Sequence, residues 1–457
     1  MKLISTNPGN NYEINGEVEI STVDEIKTKV ELANNAKKEW KKIGISKRIE
    51  YIKSLVSEFE KRKEEITILI TKEMGKPVSQ ARGEVTGSFD DINGFYKWSQ
   101  VALKDEITHE DESAKHRIIY EPWGTAAVIT PWNYPFEMFV WGAFPNLLAG
   151  NTVVFKISEE CPLMGKLIEE VVSNSNLPKG VFNVVHGDGE VGKILVNQDI
   201  DLIWFTGSTK AGEYLYETAG KKFIKAVLEM GGSNPGVIFE DVDTKSIAEN
   251  LYNKRFSNCG QVCMALKRLI VHESIFDKIV EELKSIVETK KRGNPINTDV
   301  EIGSLAAKRQ LDLLKDQVKD AVDKGAKIVI GGHEPDDLEG AYYMPTILTD
   351  ITKDMKVWND EVFGPVLSVI SFKTESEAVE LANDTIYGLG AIVYSKDKER
   401  ALRAASQIDA GTVEINGANR WKECNPFGGY KKSGMGREHG IIGFRELCQV
   451  KVISESK

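Results

Sequence analysis

The chain is poor in cysteine, with five cysteines among 457 residues. No two of them have the CxxC spacing that is typical of zinc sites and thioredoxin-like motifs, so we predict no metal site. A density this low also excludes the disulfide scaffold of small secreted domains. The cysteines are therefore buried packing residues, or they include one reactive thiol in a reducing compartment. They lie at Cys161, Cys259, Cys263, Cys424 and Cys448.

An excess of positive charge is also lacking. The chain has 59 lysines and arginines against 69 aspartates and glutamates, which gives a formal net charge of −10. This balance argues against nucleic acid as a partner, because binding to a phosphate backbone needs a basic surface. It argues in the same way against an anionic membrane surface.

Long uninterrupted apolar runs are missing as well. The longest apolar stretch, residues 124–155, is broken by prolines, asparagines and Glu137, so we predict no membrane span. The first residues, MKLISTNPGNN, lack the apolar core of a signal peptide, and we expect a cytoplasmic protein. What is present, 41% hydrophobic and 28% charged residues, is typical of a globular protein with two to three domains.

Apolar periodicity predicts helices in the N-terminal part and an α/β pattern after it. The early helices are predicted over 22–41, 45–74 and 78–98. From residue 116 short apolar runs alternate with helical segments, which is typical of a doubly wound α/β domain. The predicted strands there are 116–124, 124–132, 151–156, 181–185 and 202–205, and the predicted helices are 163–173 and 209–218.

A second alternating segment follows a turn at 231–235. Its predicted strands are 236–239, 268–271, 327–330 and 366–370, and its predicted helices are 244–255, 274–288 and 306–324. Residues 448–453 alternate like a strand that extends a sheet, either in this chain or in a partner subunit.

Three polar side chains next to predicted strands or turns are candidates for catalysis. Cys263 ends the turn-rich segment FSNCGQVC and is either a nucleophilic thiol or a buried packing residue. Glu229, between an apolar strand and a Gly-Gly turn, is either a general base with a raised pKa or an exposed strand-end carboxylate. Asn133, between two prolines, either donates a hydrogen bond to an oxyanion or forms an Asx turn.

Two glycine-rich turns are candidates for phosphate binding. FTGSTKAG (205–212) follows a strand and opens a helix, where free backbone N–H groups favour a phosphate. GDGEVG (187–192) is a second turn of this kind. Neither has the GxGxxG pattern, so each alone is a weak indication of a nucleotide.

The ordered set of motifs resembles the aldehyde dehydrogenase superfamily over nearly the whole chain. The motifs are PWNYP (131–135), VFKISE (154–159), FTGST (205–209), LEMGG (228–232), GQVC (260–263), EVFGP (361–365) and PFGGYKKSGMGRE (426–438). This resemblance implies an α/β fold with a doubly wound, Rossmann-like cofactor domain, an α/β catalytic domain and a small β oligomerisation element. The implied ranges are 1–104 and 123–230 for the dinucleotide-binding domain, 231–430 for the catalytic domain, and 105–122 with 431–457 for the oligomerisation element and C-terminal tail.

The same resemblance implies the chemistry of an NAD(P)-dependent dehydrogenase. Cys263 attacks the aldehyde to form a thiohemiacetal, while the Asn133 side chain and the Cys263 backbone N–H hold the oxyanion. Hydride transfer to the nicotinamide leaves a thioester, which water activated by Glu229 hydrolyses to a carboxylic acid. The retained Glu229 argues against a CoA-acylating enzyme, and the complete set argues against a non-enzymatic, crystallin-like role, which is the alternative of another class.

The resemblance implies NAD as the preferred cofactor and leaves NADP open. Lys156 and Glu159 match contacts to the adenosine ribose, and a carboxylate there repels a 2′-phosphate. Ser208 matches a pyrophosphate contact, and Glu361 and Phe363 match contacts to the nicotinamide ribose and ring. The full set implied for the cofactor is Ile129, Thr130, Trp132, Lys156, Ser158, Glu159, Gly189, Phe205, Thr206, Gly207, Ser208, Met230, Gly231, Glu361 and Phe363.

Substrate identity stays open between two kinds of aldehyde. The C-terminal pattern resembles short-form succinate-semialdehyde dehydrogenases, but Trp141 stands where those enzymes often carry an arginine for the substrate carboxylate. Glu137 adds negative charge one helical turn away. Arg420 and Trp421 are candidates for the substrate mouth, with Arg420 as a replacement for the missing arginine. An amino or aliphatic aldehyde is the alternative. The resemblance also implies a homodimer or homotetramer.

Cys259, four residues before Cys263, carries a separate hypothesis. It is either a small packing residue or a redox partner that forms a reversible disulfide with Cys263.

Overall fold

The computed structural model of the protein describes residues 1–419 and 421–457. The N-terminal part is a hairpin, a group of helices and two further strands. A capping box between Thr22 and Glu25 starts the first helix. The elements are β1 (Lys2–Asn7), β2 (Glu13–Glu19), α1 (Val23–Lys42), α2 (Gly44–Lys61), α3 (Lys63–Met74), α4 (Val78–Ala102), β3 (Glu106–Glu110) and β4 (Ala114–Pro122).

The prediction of one helix over 45–74 is wrong, because the chain leaves helical geometry at Arg62, with φ −107° and ψ 13°. The guanidinium of Arg62 binds Glu65 and, at 3.0 Å, Glu170 of a later helix. Buried apolar positions such as Phe59 and Ile66 keep their helical spacing across the break. Periodicity alone therefore could not reveal two helices. The helix predicted over 78–98 continues to Ala102.

The next part alternates strand and helix and forms a parallel sheet. Its strands are almost fully buried, and β5 and β6 have no exposed residue, as expected of a sheet covered on both faces. The elements are β5 (Thr125–Ile129), α5 (Pro135–Ala149), β6 (Thr152–Lys156), α6 (Pro162–Ser173), β7 (Phe182–Val184), α7 (Gly189–Val196), β8 (Leu202–Thr206), α8 (Thr209–Lys222) and β9 (Lys225–Glu229).

The order of these strands, β9-β8-β5-β6-β7, contains a topological switch point. From β5 the chain adds strands on one side, and then it returns to place β8 on the other side of β5. In such sheets ligands bind at the carboxyl ends of the two strands that flank the switch point. Ile129 and Thr206, the last residues of β5 and β8, lie at this crevice.

A second sheet has the order β12-β13-β14-β11-β10-β16-β17, in which only the edge strand β12 runs antiparallel among the described pairs. The predicted α/β alternation is thus confirmed. The elements of this part of the chain are β10 (Asn234–Ile238), α9 (Thr244–Phe256), β11 (Leu266–His272), α10 (Phe276–Thr289), α11 (Lys308–Asp323), β12 (Lys327–Ile330), β13 (Thr346–Thr349), α12 (Lys356–Asn359), β14 (Val366–Phe372), α13 (Glu375–Asn383), β15 (Tyr387–Gly388), β16 (Gly390–Tyr394), α14 (Lys398–Gln407) and β17 (Thr412–Ile415), of which β15 is not a strand of this sheet.

The C-terminal segment adds strands that pair with strands of earlier parts of the chain. Its elements are β18 (Tyr430–Lys431), β19 (Gly434–Met435), α15 (Gly440–Glu446) and β20 (Cys448–Ser456). Strand β19 pairs with β9 of the first sheet, opposite Glu229. The predicted C-terminal strand is β20, and it pairs antiparallel with β4 of its own chain, in a sheet with β3. None of the helices that the structure describes is long and apolar enough to cross a membrane.

Candidate active site

A cavity of about 600 Å³ lies where loops of the two large sheets meet. Most of the residues predicted for catalysis, cofactor and substrate line it: Trp132, Asn133, Glu137, Trp141, Thr206, Gly207, Ser208, Glu229, Met230, Gly231, Cys263, Glu361, Phe363 and Trp421. The others that the structure describes lie outside this lining, namely Ile129, Thr130, Lys156, Ser158, Glu159, Gly189 and Phe205. Arg420, predicted for the substrate mouth, lies outside the described residues.

A strained turn brings Cys263 to the cavity. Asn258, Cys259 and Gly260 have φ values of +52°, +53° and +72°, which is left-handed backbone. A Cβ on Gly260 would lie 2.3 Å from the carbonyl oxygen of Gly364, so this position requires glycine. Consecutive left-handed residues persist only where their surroundings impose them, and such strain is common at functional sites.

Side chains inside the turn supply that constraint. The Gln261 side chain donates to the carbonyl of Asn258 at 3.1 Å and accepts from the backbone N–H of Ala306 at 2.9 Å. The backbone N–H of Asn258 donates to the side chain of Gln80 on α4 at 2.8 Å. The turn is thus tied both to itself and to two distant segments, which fixes the direction of the Cys263 side chain.

The Cys263 thiol is half-buried, and burial raises its pKa to about 12. The Lys267 ammonium lowers the pKa of this thiol, whereas the charges of Glu361 and Glu229 raise it further. At neutral pH the group is therefore a thiol in the structure as it stands. Its ionisation needs a proton acceptor or an additional positive charge near the sulfur.

Asn133 is held so that its amide can serve as a donor. Its side-chain Nδ2 donates one hydrogen bond to the backbone carbonyl of Gln261 at 3.0 Å. The backbone carbonyl of Asn133 accepts a hydrogen bond from Asn258 Nδ2 at 2.9 Å. A primary amide carries two hydrogens, so a second donor remains for an oxygen in the cavity. Because the same residues hold Asn133 and the turn before Cys263, the donor and the thiol are positioned as one unit.

Glu229 is a fully buried carboxyl group whose two oxygens have no hydrogen-bond partner among the described residues. Burial raises its pKa well above the ordinary value, and the charge of Arg437 opposes this shift. A Cβ on Gly428 would come within 2.7 Å of Glu229 Oε1, so glycine leaves room for the carboxyl group there. A carboxylate with a raised pKa is suited to take a proton near neutral pH.

Glu438, a neighbour of Glu229, was missed by the sequence reasoning, as was the next residue, His439. Burial and the charge of Glu229 raise the pKa of Glu438 well above its ordinary value. Burial lowers the pKa of His439 to about 3, so this ring is neutral. The negative charge of Glu229 therefore disfavours ionisation of Glu438. The end of the PFGGYKKSGMGRE motif was the only sequence signal for Glu438.

Glu361 is anchored by Lys267 and Gly232, close to Cys263. Its Oε1 accepts from the Lys267 ammonium at 2.6 Å and from the backbone N–H of Gly232 at 3.0 Å. A Cβ on Gly231 would lie 2.4 Å from its Oε2. The ring of Phe363, two residues on, lies edge-on to Trp132 with 5.5 Å between the ring centroids. A carboxylate and an aromatic face thus stand side by side in the cavity wall.

The carboxyl ends of β5, β6 and β8 carry groups that suit phosphates and ribose hydroxyls. Ser208 caps α8 at its N-terminus, where the first backbone N–H groups have no partner within the helix. The hydroxyls of Thr130 and Thr206 are buried without a hydrogen-bond partner among the described residues. Lys156 is buried, its ammonium donates to the Ile157 carbonyl at 3.1 Å, and burial lowers its pKa to about 8. These donors fit a dinucleotide.

One part of the cavity wall is aromatic and acidic. The indoles of Trp141 and Trp421 stack with 4.4 Å between centroids, and both donate to Asp91 of α4, at 2.8 and 3.3 Å. Glu137, on the same face of α5 as Trp141, lies beside Asp91 and Glu84. Burial raises the pKa of Asp91 to about 6 and that of Glu137 well above its ordinary value. The contribution of Asp91 was not predicted, because periodicity shows only that it is a polar residue on a helix.

A crevice for a dinucleotide next to a thiol, an amide donor and a buried carboxyl group is typical of a dehydrogenase that forms a covalent intermediate on cysteine. Comparison with known proteins identifies the family of dehydrogenases to which the chain belongs. The model of the aldehyde dehydrogenase family matches residues 2–453. The chain therefore belongs to the aldehyde dehydrogenase family and is an aldehyde dehydrogenase.

Curated relatives and solved structures agree with this assignment. The chain is 37% identical to a betaine aldehyde dehydrogenase of Bacillus subtilis over 456 residues, which cover 97% of this chain and 92% of that protein. It is 36% identical to the peroxisomal aminoaldehyde dehydrogenase 1 of Pisum sativum, over 96% of this chain and 90% of that one. Its structure matches that of an NAD-dependent aldehyde dehydrogenase from Sinorhizobium meliloti, with a TM-score of 0.95, 32% identity, and coverage of 100% of this chain and 92% of the other.

Proposed function

We propose that this aldehyde dehydrogenase oxidises an amino aldehyde, whose far end is a cation, to the carboxylic acid with NAD as the preferred cofactor. The observation that carries the substrate class is the part of the cavity wall formed by Glu137 and the stacked indoles of Trp141 and Trp421, with the Asp91 carboxyl group hydrogen-bonded to both indoles. Aromatic faces and carboxylates together suit an ammonium group. The names of the Bacillus and pea relatives agree with this class.

Succinate semialdehyde, the other candidate, receives less support. Its carboxylate needs a cationic partner, and Lys254 is the only basic side chain among the described residues that line the cavity. The ammonium of Lys254 is already paired with both carboxylate oxygens of Glu414, at 2.8 and 2.6 Å. An anionic substrate would also lie next to Glu137 and Asp91, which like-charge repulsion disfavours.

In the proposed mechanism the Cys263 thiol gives its proton to water in the cavity, and the thiolate sulfur forms a bond to the aldehyde carbon as the π electron pair of the carbonyl moves to its oxygen. The Asn133 amide and the Cys263 backbone N–H stabilise the oxyanion of the resulting thiohemiacetal. A nicotinamide cofactor, when bound, supplies the acceptor for the hydride that leaves the substrate carbon. The product on the enzyme is a thioester of Cys263. Glu229 then takes a proton from water, and the hydroxide displaces the thiolate to release the carboxylic acid.

We propose that the cofactor lies along the switch-point crevice. Ser208 and the start of α8 hold its phosphates, Lys156 and Glu159 bind the adenosine ribose, and Glu361 and Phe363 hold the nicotinamide end. The oligomer is proposed to be a homodimer or homotetramer, and the location cytoplasmic, where a reducing environment keeps Cys263 free.

Steady-state kinetics with NAD test the substrate class. We expect kcat/KM for 4-aminobutanal to exceed that for pentanal, a neutral aldehyde of similar length, and that for succinate semialdehyde, each by about tenfold or more. Asp91→Asn should reduce this preference, whereas Asp90→Asn, an exposed neighbour on the same helix, should preserve it. Preference for succinate semialdehyde would overturn the proposed substrate. Full NAD-linked oxidation by Cys263→Ala would overturn the mechanism.

A further inference from the structure

Arg309 connects the start of α11 to the loop between β6 and α6. Its Nε donates to Glu160 Oε1 at 2.6 Å, and its Nη2 donates to Glu159 Oε1 at 3.5 Å. The arginine side chain remains about half exposed, at 54%, so it can exchange partners. Arg309 therefore contacts the carboxylate of Glu159, which is proposed to bind the adenosine ribose.

The position of α11 places this arginine over the cofactor crevice. The next residue, Gln310, and Leu313 one turn on line the same cavity as Gly207 and Ser208. The first turn of α11, which belongs to the part with the second sheet, thus faces the carboxyl edge of the first sheet. Arg309 lies at the rim of that crevice, between Glu159 and Glu160.

Two cations flank Glu159. The negative charge of Glu159 raises the pKa of the Lys156 ammonium, against the larger lowering effect of burial. Arg309 also contacts Glu159, with 3.5 Å between Nη2 and Oε1. The negative charge of Glu159 is therefore compensated at least in part, and its repulsion of a second anion is weakened.

We propose that Arg309, with Lys156, forms a subsite for the 2′-phosphate of NADP, so that the enzyme accepts NADP although Glu159 is present. A guanidinium offers parallel N–H donors that match phosphate oxygens, and the planar head can turn from Glu159 to the phosphate while Glu160 holds its Nε. Lys156 has ammonium hydrogens beyond the one given to Ile157. This subsite rests on the proposed position of the adenosine ribose.

The test is equilibrium binding of adenosine nucleotides to the enzyme without aldehyde, followed by tryptophan fluorescence or calorimetry. Adenosine 2′,5′-bisphosphate and 5′-AMP differ only in the 2′-phosphate, and NADP and NAD form the matching full-length pair. Arg309→Ala should weaken binding of the bisphosphate and NADP by about tenfold or more and leave 5′-AMP and NAD within about twofold. Arg309→Lys keeps the positive charge but loses the parallel N–H donors of the guanidinium. Its affinities for the bisphosphate and NADP should therefore lie between those of the wild type and of Arg309→Ala.

Two further variants sharpen the test. Lys308→Ala removes the neighbouring exposed cation, which pairs with Asp312 on its own helix, and should change none of the four affinities. Glu159→Gln should strengthen binding of the bisphosphate relative to 5′-AMP, because it removes the competing carboxylate.

The outcomes separate the two levels of the proposal. If Arg309→Ala weakens all four ligands equally, Arg309 only ties two parts of the chain together, and the subsite is overturned. An unchanged affinity for the bisphosphate also overturns it. If 5′-AMP and NAD do not bind the wild-type enzyme, the proposed cofactor site itself is wrong.

Discussion

Arg437 is the residue whose charge opposes the effect of burial on the Glu229 carboxyl group. Its Nη1 donates to the carbonyls of Gly436 and Gly429, at 2.6 and 3.2 Å, which holds the guanidinium close to the active site. Burial raises the pKa of Glu229, and the positive charge of Arg437 lowers it. The pH at which Glu229 ionises thus depends on a side chain that does not hydrogen-bond to it in the described structure.

Replacement of Arg437 should therefore move the pH dependence of the reaction. Arg437→Gln removes the positive charge, so the pKa of Glu229 rises and the acidic limb of kcat against pH moves to higher pH. Arg437→Lys keeps the charge and should leave the limb near its wild-type position. Lys432→Gln, which removes an exposed lysine paired with Glu213, is the control. If the lysine variant shifts the limb as far as the glutamine variant, packing and not charge is responsible.

At the scale of elements, the turn at 257–260 decides where Cys263, the proposed nucleophile, points. It follows α9 directly, and its left-handed residues redirect the chain toward β11. The hydrogen bonds of Gln261 and Asn258 stabilise a conformation that the backbone alone disfavours. The turn should thus tolerate little change.

Gly260→Ala tests this element. Left-handed backbone costs an alanine about 1–2 kcal/mol, and the contact with the Gly364 carbonyl adds to it, so we expect a loss of at least about 3 kcal/mol in the free energy of unfolding or a displaced turn with little activity. Gly44→Ala is the matched control, because Gly44 has φ +76° but nothing within 4 Å of a Cβ. Gly44→Ala should lose only the part of the free energy of unfolding that comes from left-handed backbone. Equal losses measured by denaturant unfolding would show that the contact with Gly364 is unimportant.

At the scale of the whole molecule, several carboxyl groups are buried where the parts of the chain meet. Glu73 of α3 accepts hydrogen bonds from the Ser5 hydroxyl at 2.7 Å and from the backbone N–H groups of Leu163 and Met164, both at 2.9 Å. It joins the hairpin, a helix and the start of α6. Burial raises its pKa to about 7, even though these hydrogen bonds lower it.

This shift predicts how stability depends on pH. In the unfolded chain the Glu73 carboxyl ionises near 4.5, whereas in the folded chain it does so near 7, so between these values the unfolded state releases the proton more readily. The contribution of Glu73 to folding stability therefore falls as pH rises through this window, by roughly 3 kcal/mol at most. Thermal unfolding at pH 5 and pH 8 should show a smaller pH effect in Glu73→Gln than in the wild type and in Glu50→Gln, an exposed control. Identical pH effects in all three proteins would contradict the buried-carboxyl explanation.

Much of the fold could be predicted because burial leaves a local pattern. The strands at 151–156 and 202–205 were visible as short apolar runs, since both faces of a central parallel strand are covered. The break at Arg62 left no such pattern, because ion pairs and not apolar spacing hold the chain there. The hairpin of β1 and β2 was likewise missed, since its exposed residues alternate only weakly.

The sequence by itself determined the family, the α/β class and the candidates Cys263, Glu229 and Asn133, because these depend on short segments whose residues are neighbours along the chain. Only the tertiary structure decided what surrounds them. Glu438 lines the cavity from the C-terminal segment, Asp91 of α4 accepts hydrogen bonds from the two indoles of the cavity wall, and Arg309 of α11 pairs with Glu159 and Glu160. The pKa of each carboxyl group and the partners of each charge depend on these distant segments, since desolvation and Coulomb forces follow distance in space and not separation in sequence.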